Sequence, residues 1–163
     1  MPTIELQTLI HAEKEIVFDL SRSIDLHKIS TQHTHEEAVA GRLTGLIELN
    51  ETVTWKAKHF GVYQYLTSKI TAFDRPDYFV DEMEKGIFKR FRHQHIFKNQ
   101  EKGTMMIDIF EYKSPLGFLG KIVDFVFLKR YMMNLLMKRN VTIKNFSETS
   151  KWKEVLIPNL NSK

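Results

Sequence analysis

His93 and His95, in the stretch FRHQHIFK (91–98), stand one residue apart and are framed by Phe91 and Phe97. In a strand, alternate side chains point the same way, so two imidazoles and two phenyl rings share one face. Titratable rings on an apolar face can ligate a metal, move a proton, line a cavity or brace one another as core residues. The acid within reach is Asp108, if GTMMIDIFEYK (103–113) folds back on FKRFRHQHIFK (88–98) across NQEKG. Setting Phe97 opposite Thr104 puts His95 across from Met106 and His93 across from Asp108, which predicts a His93–Asp108 hydrogen bond.

Other chemistries are narrowed by what surrounds this pair. The sequence has no cysteine and no Gly-x-Ser-x-Gly, so thiolate chemistry and the usual serine elbow are out. Its seven glycines are scattered singly, which leaves no phosphate-cradling loop. His93 and His95 with His59 and an aspartate would suit zinc or iron, and His33 and His35 repeat the His-x-His spacing. Those two sit in polar TQHTHEE, where exposure is the default, and the expectation is neither metal nor cofactor. Acid–base work by His93 with Asp108 stays open.

The elements that must position these residues follow from periodicity. TIELQTLI (3–10) alternates as a first strand, and AEKEIVFDLS (12–21) sets Ile16, Val17 and Leu20 on one helical face. Residues 22–41 read as one or two short helical turns ending at Gly41. Arg42–Leu49, 51–60, 62–73, 78–85, 88–98 and 103–113 then read as six strands in series, seven with the first. Alternation turns Trp55, His59, Gln64, Ser68, Asp81, His93, His95, Met106, Asp108 and Phe110 to one face. Residues 118–146 have helical spacing, with Phe118, Ile122, Phe125, Met132, Leu136 and Ile143 on one side. The predicted class is α+β: a seven-stranded antiparallel curved sheet wrapped around a long C-terminal helix, enclosing a cavity. So many polar groups on an inward face imply mutual hydrogen bonds, water or a ligand, since each costs ~1–3 kcal/mol if left unpaired. Phe125 and Met132 complete the cavity candidates from the helix side, where methionines make a pliable wall.

At 163 residues the chain reads as one domain over 1–163, with a core about 3–146 and a C-terminal tail over 147–163. No targeting segment is read at its start, and the absence of cysteine suits a reducing cytoplasm. Net charge is +4, but Lys121–Lys153 carries eight Lys or Arg against two acids. Such a segment is ordinarily a solvated helix face; it also suits a weak contact with an anionic membrane, whereas no nucleic-acid partner is expected. Nothing read here sets the oligomeric state.

VTWKAKHFG (53–61), RPDYFVDEMEKGIFKRFRHQHIF (75–97), GTMMIDIFEY (103–112) and SPLGFLG (114–120) resemble a bacterial branch of the START-like (SRPBCC) superfamily. Its members are of the polyketide cyclase/dehydrase and lipid-transport type, and the resemblance spans roughly residues 3–146. It implies a helix-grip fold with a hydrophobic ligand cavity between sheet and C-terminal helix. It selects no reaction, because that superfamily includes carriers, receptors and cyclases, and it carries over no catalytic residue. Three functions are therefore expected in order: non-catalytic binding or transport of a small apolar molecule (lipid, isoprenoid or polyketide-like); a cyclase/dehydratase using the cavity His and Asp; an interaction protein docking through its basic helix.

Overall fold

The computed structural model describes residues 2–114 and 127–157. Strand β1 (Thr3–Ile10) leads into helix α1 (Lys14–Ser21), which buries Val17, Phe18 and Leu20. Helix α2 (Ile24–Ser30) starts at Ser23, whose hydroxyl accepts the Leu26 N–H at 3.2 Å, and a short 3-10 turn follows. Strands β2 (Glu37–Gly41), β3 (Thr52–His59), β4 (Val62–Asp74), β5 (Tyr78–Lys85), β6 (Arg90–Gln100) and β7 (Gly103–Lys113) form a meander. Helices α3 (Lys129–Ser147) and α4 (Trp152–Leu156) close the described chain.

The seven strands make one antiparallel sheet in the order β1-β7-β6-β5-β4-β3-β2, so the first strand pairs with the last. Bulges at Thr67/Ser68 and Ile70/Ala72, where β4 meets β5, bend and twist the sheet. The concave face holds two apolar clusters. In one, Phe18 of α1 meets Phe73, Phe79 and Phe97 edge-on at 5.2–5.4 Å, with Ile143 of α3 in the same cluster. In the other, Phe88, Phe91, Phe110 and Tyr112 pack with Leu136, and Met132 lies against them. The helix therefore grips the concave face, as its spacing predicts. Phe118, Ile122 and Phe125, placed on the same face from the sequence, lie outside the described residues. Trp152, Val155 and Leu156 of α4 pack on the first cluster. No described helix is long and apolar enough to cross a membrane.

One strand is displaced from its expected position. Residues 42–49 form a loop that touches the body through an isolated Ser23–Leu46 bridge, and the strand beside β3 is Glu37–Gly41 instead. Glu37–Gly41 is mostly exposed and has little inward alternation to reveal it; backbone pairing with β3 holds it. Gly41, at φ +74°, then carries the chain past Thr52, where a Cβ would lie 2.1 Å from the carbonyl oxygen.

Gly103 follows the two-residue β6–β7 turn at φ +139°, and a Cβ there would lie 2.1 Å from the Ile10 carbonyl oxygen. Gly45, at φ +77°, has nothing within 4 Å. Gly103→Ala should destabilise the fold by ~2 kcal/mol or more, and Gly45→Ala by only ~1 kcal/mol from its backbone conformation, measured by urea unfolding.

Candidate functional site

The site is built where β5, β6 and β7 lie side by side. Along β6 the inward residues run Phe91, His93, His95, Phe97, and along β7 Met106, Asp108, Phe110, all buried. A polar layer thus separates the two apolar clusters. The observed register pairs His95 with Asp108, His93 with Phe110 and Phe97 with Met106, two residues away from the register predicted. The reason is the turn: pairing continues to Gln100–Gly103, leaving only Glu101–Lys102 as the connection instead of NQEKG. A slip of two keeps every side chain on its face, so the predicted contact survives as a diagonal one.

Asp108 is fully buried and receives four donors. Its Oδ1 is 3.1 Å from His93 Nε2, 2.9 Å from His95 Nδ1 and 3.4 Å from Arg139 Nη1; its Oδ2 accepts from Asn140 Nδ2 at 2.7 Å. On the opposite side of the rings, Asp81 Oδ1 is 2.9 Å from His95 Nε2 and 3.8 Å from His93 Nδ1. A carboxylate oxygen thus stands at hydrogen-bond distance from each His95 nitrogen, bracing the ring from both sides. Phe79 stacks on His95 with centroids 4.2 Å apart, and Phe110 meets His93 edge-on at 5.3 Å.

Burial pushes the His93 pKa down to about 4, and the neighbouring His95 adds to the shift against weaker pulls from Asp108 and Asp81. His93 is thus neutral near pH 7 and donates Nε2–H to Asp108. Burial also opposes ionisation of Asp108, but hydrogen bonds from His93 and His95 and the charge of Arg139 hold its carboxyl well below the usual range. Asp81 is lowered for similar reasons, with burial outweighed by the His95 hydrogen bond and the surrounding positive charge.

Arg139 and Asn140 were not anticipated. Arg139 was counted with the basic residues available to a partner, yet it is buried, and its Nη2 also donates to the Ser21 carbonyl at 2.9 Å. The signal was present, because Arg139 follows Leu136 by three and precedes Ile143 by four, on the helix's apolar stripe.

Between the two apolar clusters lies a cavity of about 220 Å³. Trp55, His59, Gln64, Ser68, Asp81, His93, His95, Phe110 and Met132 line it. Met106 and Asp108 do not. Asp108 stands behind the two imidazoles, and Met106 is packed into the first cluster beside the Ser21 hydroxyl at 3.5 Å. Phe125 lies outside the described residues. His59 is held apart from the other two histidines, with Nδ1 2.7 Å from the Tyr131 hydroxyl, and burial lowers its pKa. Further residues reach the cavity that the strand pattern could not have supplied, notably His27, stacked 4.2 Å from Trp55, and Glu36. The Gln64 Oε1 is buried without a hydrogen-bond partner among the described residues. His33 and His35 are exposed.

The chain shares its helix-grip fold with solved structures. Protein TTHA0849 from Thermus thermophilus superposes with a TM-score of 0.70 at 18% identity, covering 90% of this chain and 99% of that one. Major latex-like protein 151 from Panax ginseng gives a TM-score of 0.67 at 13% identity, covering 91% and 98%. The di-domain ARO/CYC StfQ from the steffimycin biosynthetic pathway gives 0.71 at 12% identity, covering 90% of this chain and 50% of that one. No protein-family model matches the sequence, and no curated protein matches it. These likenesses establish the fold and leave the activity to the site.

Arg139→Met keeps much of the side chain's bulk but leaves the Asp108 charge short of its cation; a loss of ~3 kcal/mol is expected, against under ~0.5 kcal/mol for exposed Lys138→Met, read by urea unfolding. The pH dependence of stability has a definite sign. Between pH 6.5 and about 4 the unfolded chain binds a proton at His93 that the folded chain refuses, so stability falls as pH drops through that window. The loss amounts to ~3 kcal/mol at most. Below it, the lowered carboxyls of Asp81 and Asp108 continue the fall. Denaturant unfolding of His93→Gln across pH 2–7 should show the slope above about pH 4 removed and the slope below it kept.

Proposed function

We propose that this chain binds a small, largely apolar molecule in the cavity between sheet and helix, without transforming it. The observation that carries the reading is the cavity of about 220 Å³ itself, with walls such as Val53, Ile70, Phe91 and Leu136 and a few converging polar groups. Its volume equals that of about seven liquid waters and is below the ~300–1,000 Å³ of drug-sized pockets. A compact one- or two-ring compound of polyketide or isoprenoid character suits it better than a long acyl chain. Engagement of both His93 and His95 by Asp108, and the lack of a nucleophile, support a carrier over an enzyme. The cysteine-free composition suits a cytoplasmic setting.

One observation favours a second reading, an acid–base enzyme of cyclase/dehydratase type. Neutral His93 donates from Nε2, so its Nδ1 keeps a lone pair on the cavity wall, where a general base would present it. Native mass spectrometry of freshly purified protein separates the two readings. Given back the molecule identified in this way, a carrier returns it unchanged, whereas a dehydrating cyclase returns a mass lower by one water.

A fluorescent naphthalene-type probe should bind near one equivalent, and Ser68→Leu, which places a branched side chain in the cavity, should weaken it at least tenfold. Equal affinity in that variant, with its fold intact by circular dichroism, would move binding away from the cavity.

A further inference from the structure

His93 Nδ1 lies 3.8 Å from Asp81 Oδ1, too far for a hydrogen bond. His95 Nε2 converges on the same Asp81 oxygen from 2.9 Å, and the three donor atoms all lie within 4.8 Å of one another. The far nitrogens of both rings are fixed by a single carboxylate, since His93 Nε2 and His95 Nδ1 both contact Asp108 Oδ1. This is the arrangement by which metal-binding histidines are held: a carboxylate behind the ring sets its tautomer and orients the other nitrogen outward.

We propose that Asp81, His93 and His95 form a site for a divalent first-row transition ion on the cavity wall, with Asp108 as the carboxylate behind both imidazoles. Zinc at ~2.0–2.1 Å from nitrogen and oxygen ligands places neighbouring donors ~3.3 Å apart. The 2.9 Å and 3.8 Å edges flank that value, so side-chain shifts of about half an ångström accommodate the ion. The donor set, two imidazoles and one carboxylate without thiolate, suits zinc or iron(II) and leaves the remaining positions open to the cavity. This is a different set from the one the sequence suggested, in which His59 was a ligand; His59 is held by Tyr131 instead.

Charge supports the assignment. With the ion bound, both rings are neutral nitrogen ligands. The two carboxylates then offset Arg139 and one charge of the ion, leaving one positive charge facing the cavity. That remainder favours an anionic oxygen (a phenolate, enolate or carboxylate) on the bound molecule, a consequence that rests on the cavity being the binding site; the metal site itself does not.

The test uses the whole chain, stripped with a chelator and dialysed, then titrated with cobalt(II) chloride alone. Visible absorption should report one saturable equivalent. Nitrogen-15 spectra of the histidine rings should show His93 and His95 shifting at that first equivalent, with His11, His33 and His35 unmoved. Asp81→Asn and His95→Gln should weaken cobalt at least a hundredfold, and Asp108→Asn by ~10–100-fold, as an outer partner does. No saturable binding, or binding that moves only the exposed histidines and survives Asp81→Asn, would overturn the proposal. The wild-type ring spectra decide this even if a variant fails to fold. Naphthalene-probe affinity measured without metal tells failure of the cavity reading from failure of the metal site.

Discussion

A carboxylate with no solvent contact must be supplied with donors or protonated, and Asp108 is supplied with four. Two come from β6, one strand away, and two from successive residues of α3, distant in sequence. Withdrawing such an ion from water costs several kcal/mol, and removing a partner from a buried pair costs more than the pair contributes. The hairpin register and the rotation of the C-terminal helix are therefore coupled through one side chain. Arg139 extends the coupling to α1, because the same guanidinium reaches the Ser21 carbonyl at the end of that helix.

The polar layer also shapes the space beside it. Phe18, Phe79 and Phe97 lie on one side of it, and Phe88, Phe91 and Phe110 on the other. Phe79 and Phe110 contact His95 and His93 directly, so the imidazoles are wedged between aromatic rings while one edge of each faces the cavity. Bulges in β4 bend the sheet where its residues line the opposite wall. The cavity follows from a curved sheet, a helix held off it by a buried ion network, and side chains too rigid to collapse into the gap.

In the proposed site the ion takes the place between Asp81 and the two rings, and Asp108 holds both rings in the same orientation with or without it. A site so arranged is pre-organised, since the ligand rings need not reorient when the ion enters.

Much of the fold was legible in order of residues alone, because strand and helix periods are local properties. Period two over β3 to β7 named the inward face, and eight of the residues it turns inward line the cavity. Helical spacing identified the apolar stripe of α3. β2 was missed, because an exposed strand held by backbone pairing has no side-chain alternation to announce it. Register was also beyond reach: alternation is unchanged by a slip of two, and only the closed Glu101–Lys102 turn decided that His95, not His93, sits opposite Asp108. The roles of Asp81 and Arg139 depended on packing as well, since nothing in the local sequence fixes the register of β5 on β6 or how far α3 is turned. The sequence by itself determined which side chains share the concave face, through the geometry of single elements. Which of them touch, and therefore which carry charge, was decided only when three strands and a distant helix were brought around one buried carboxylate.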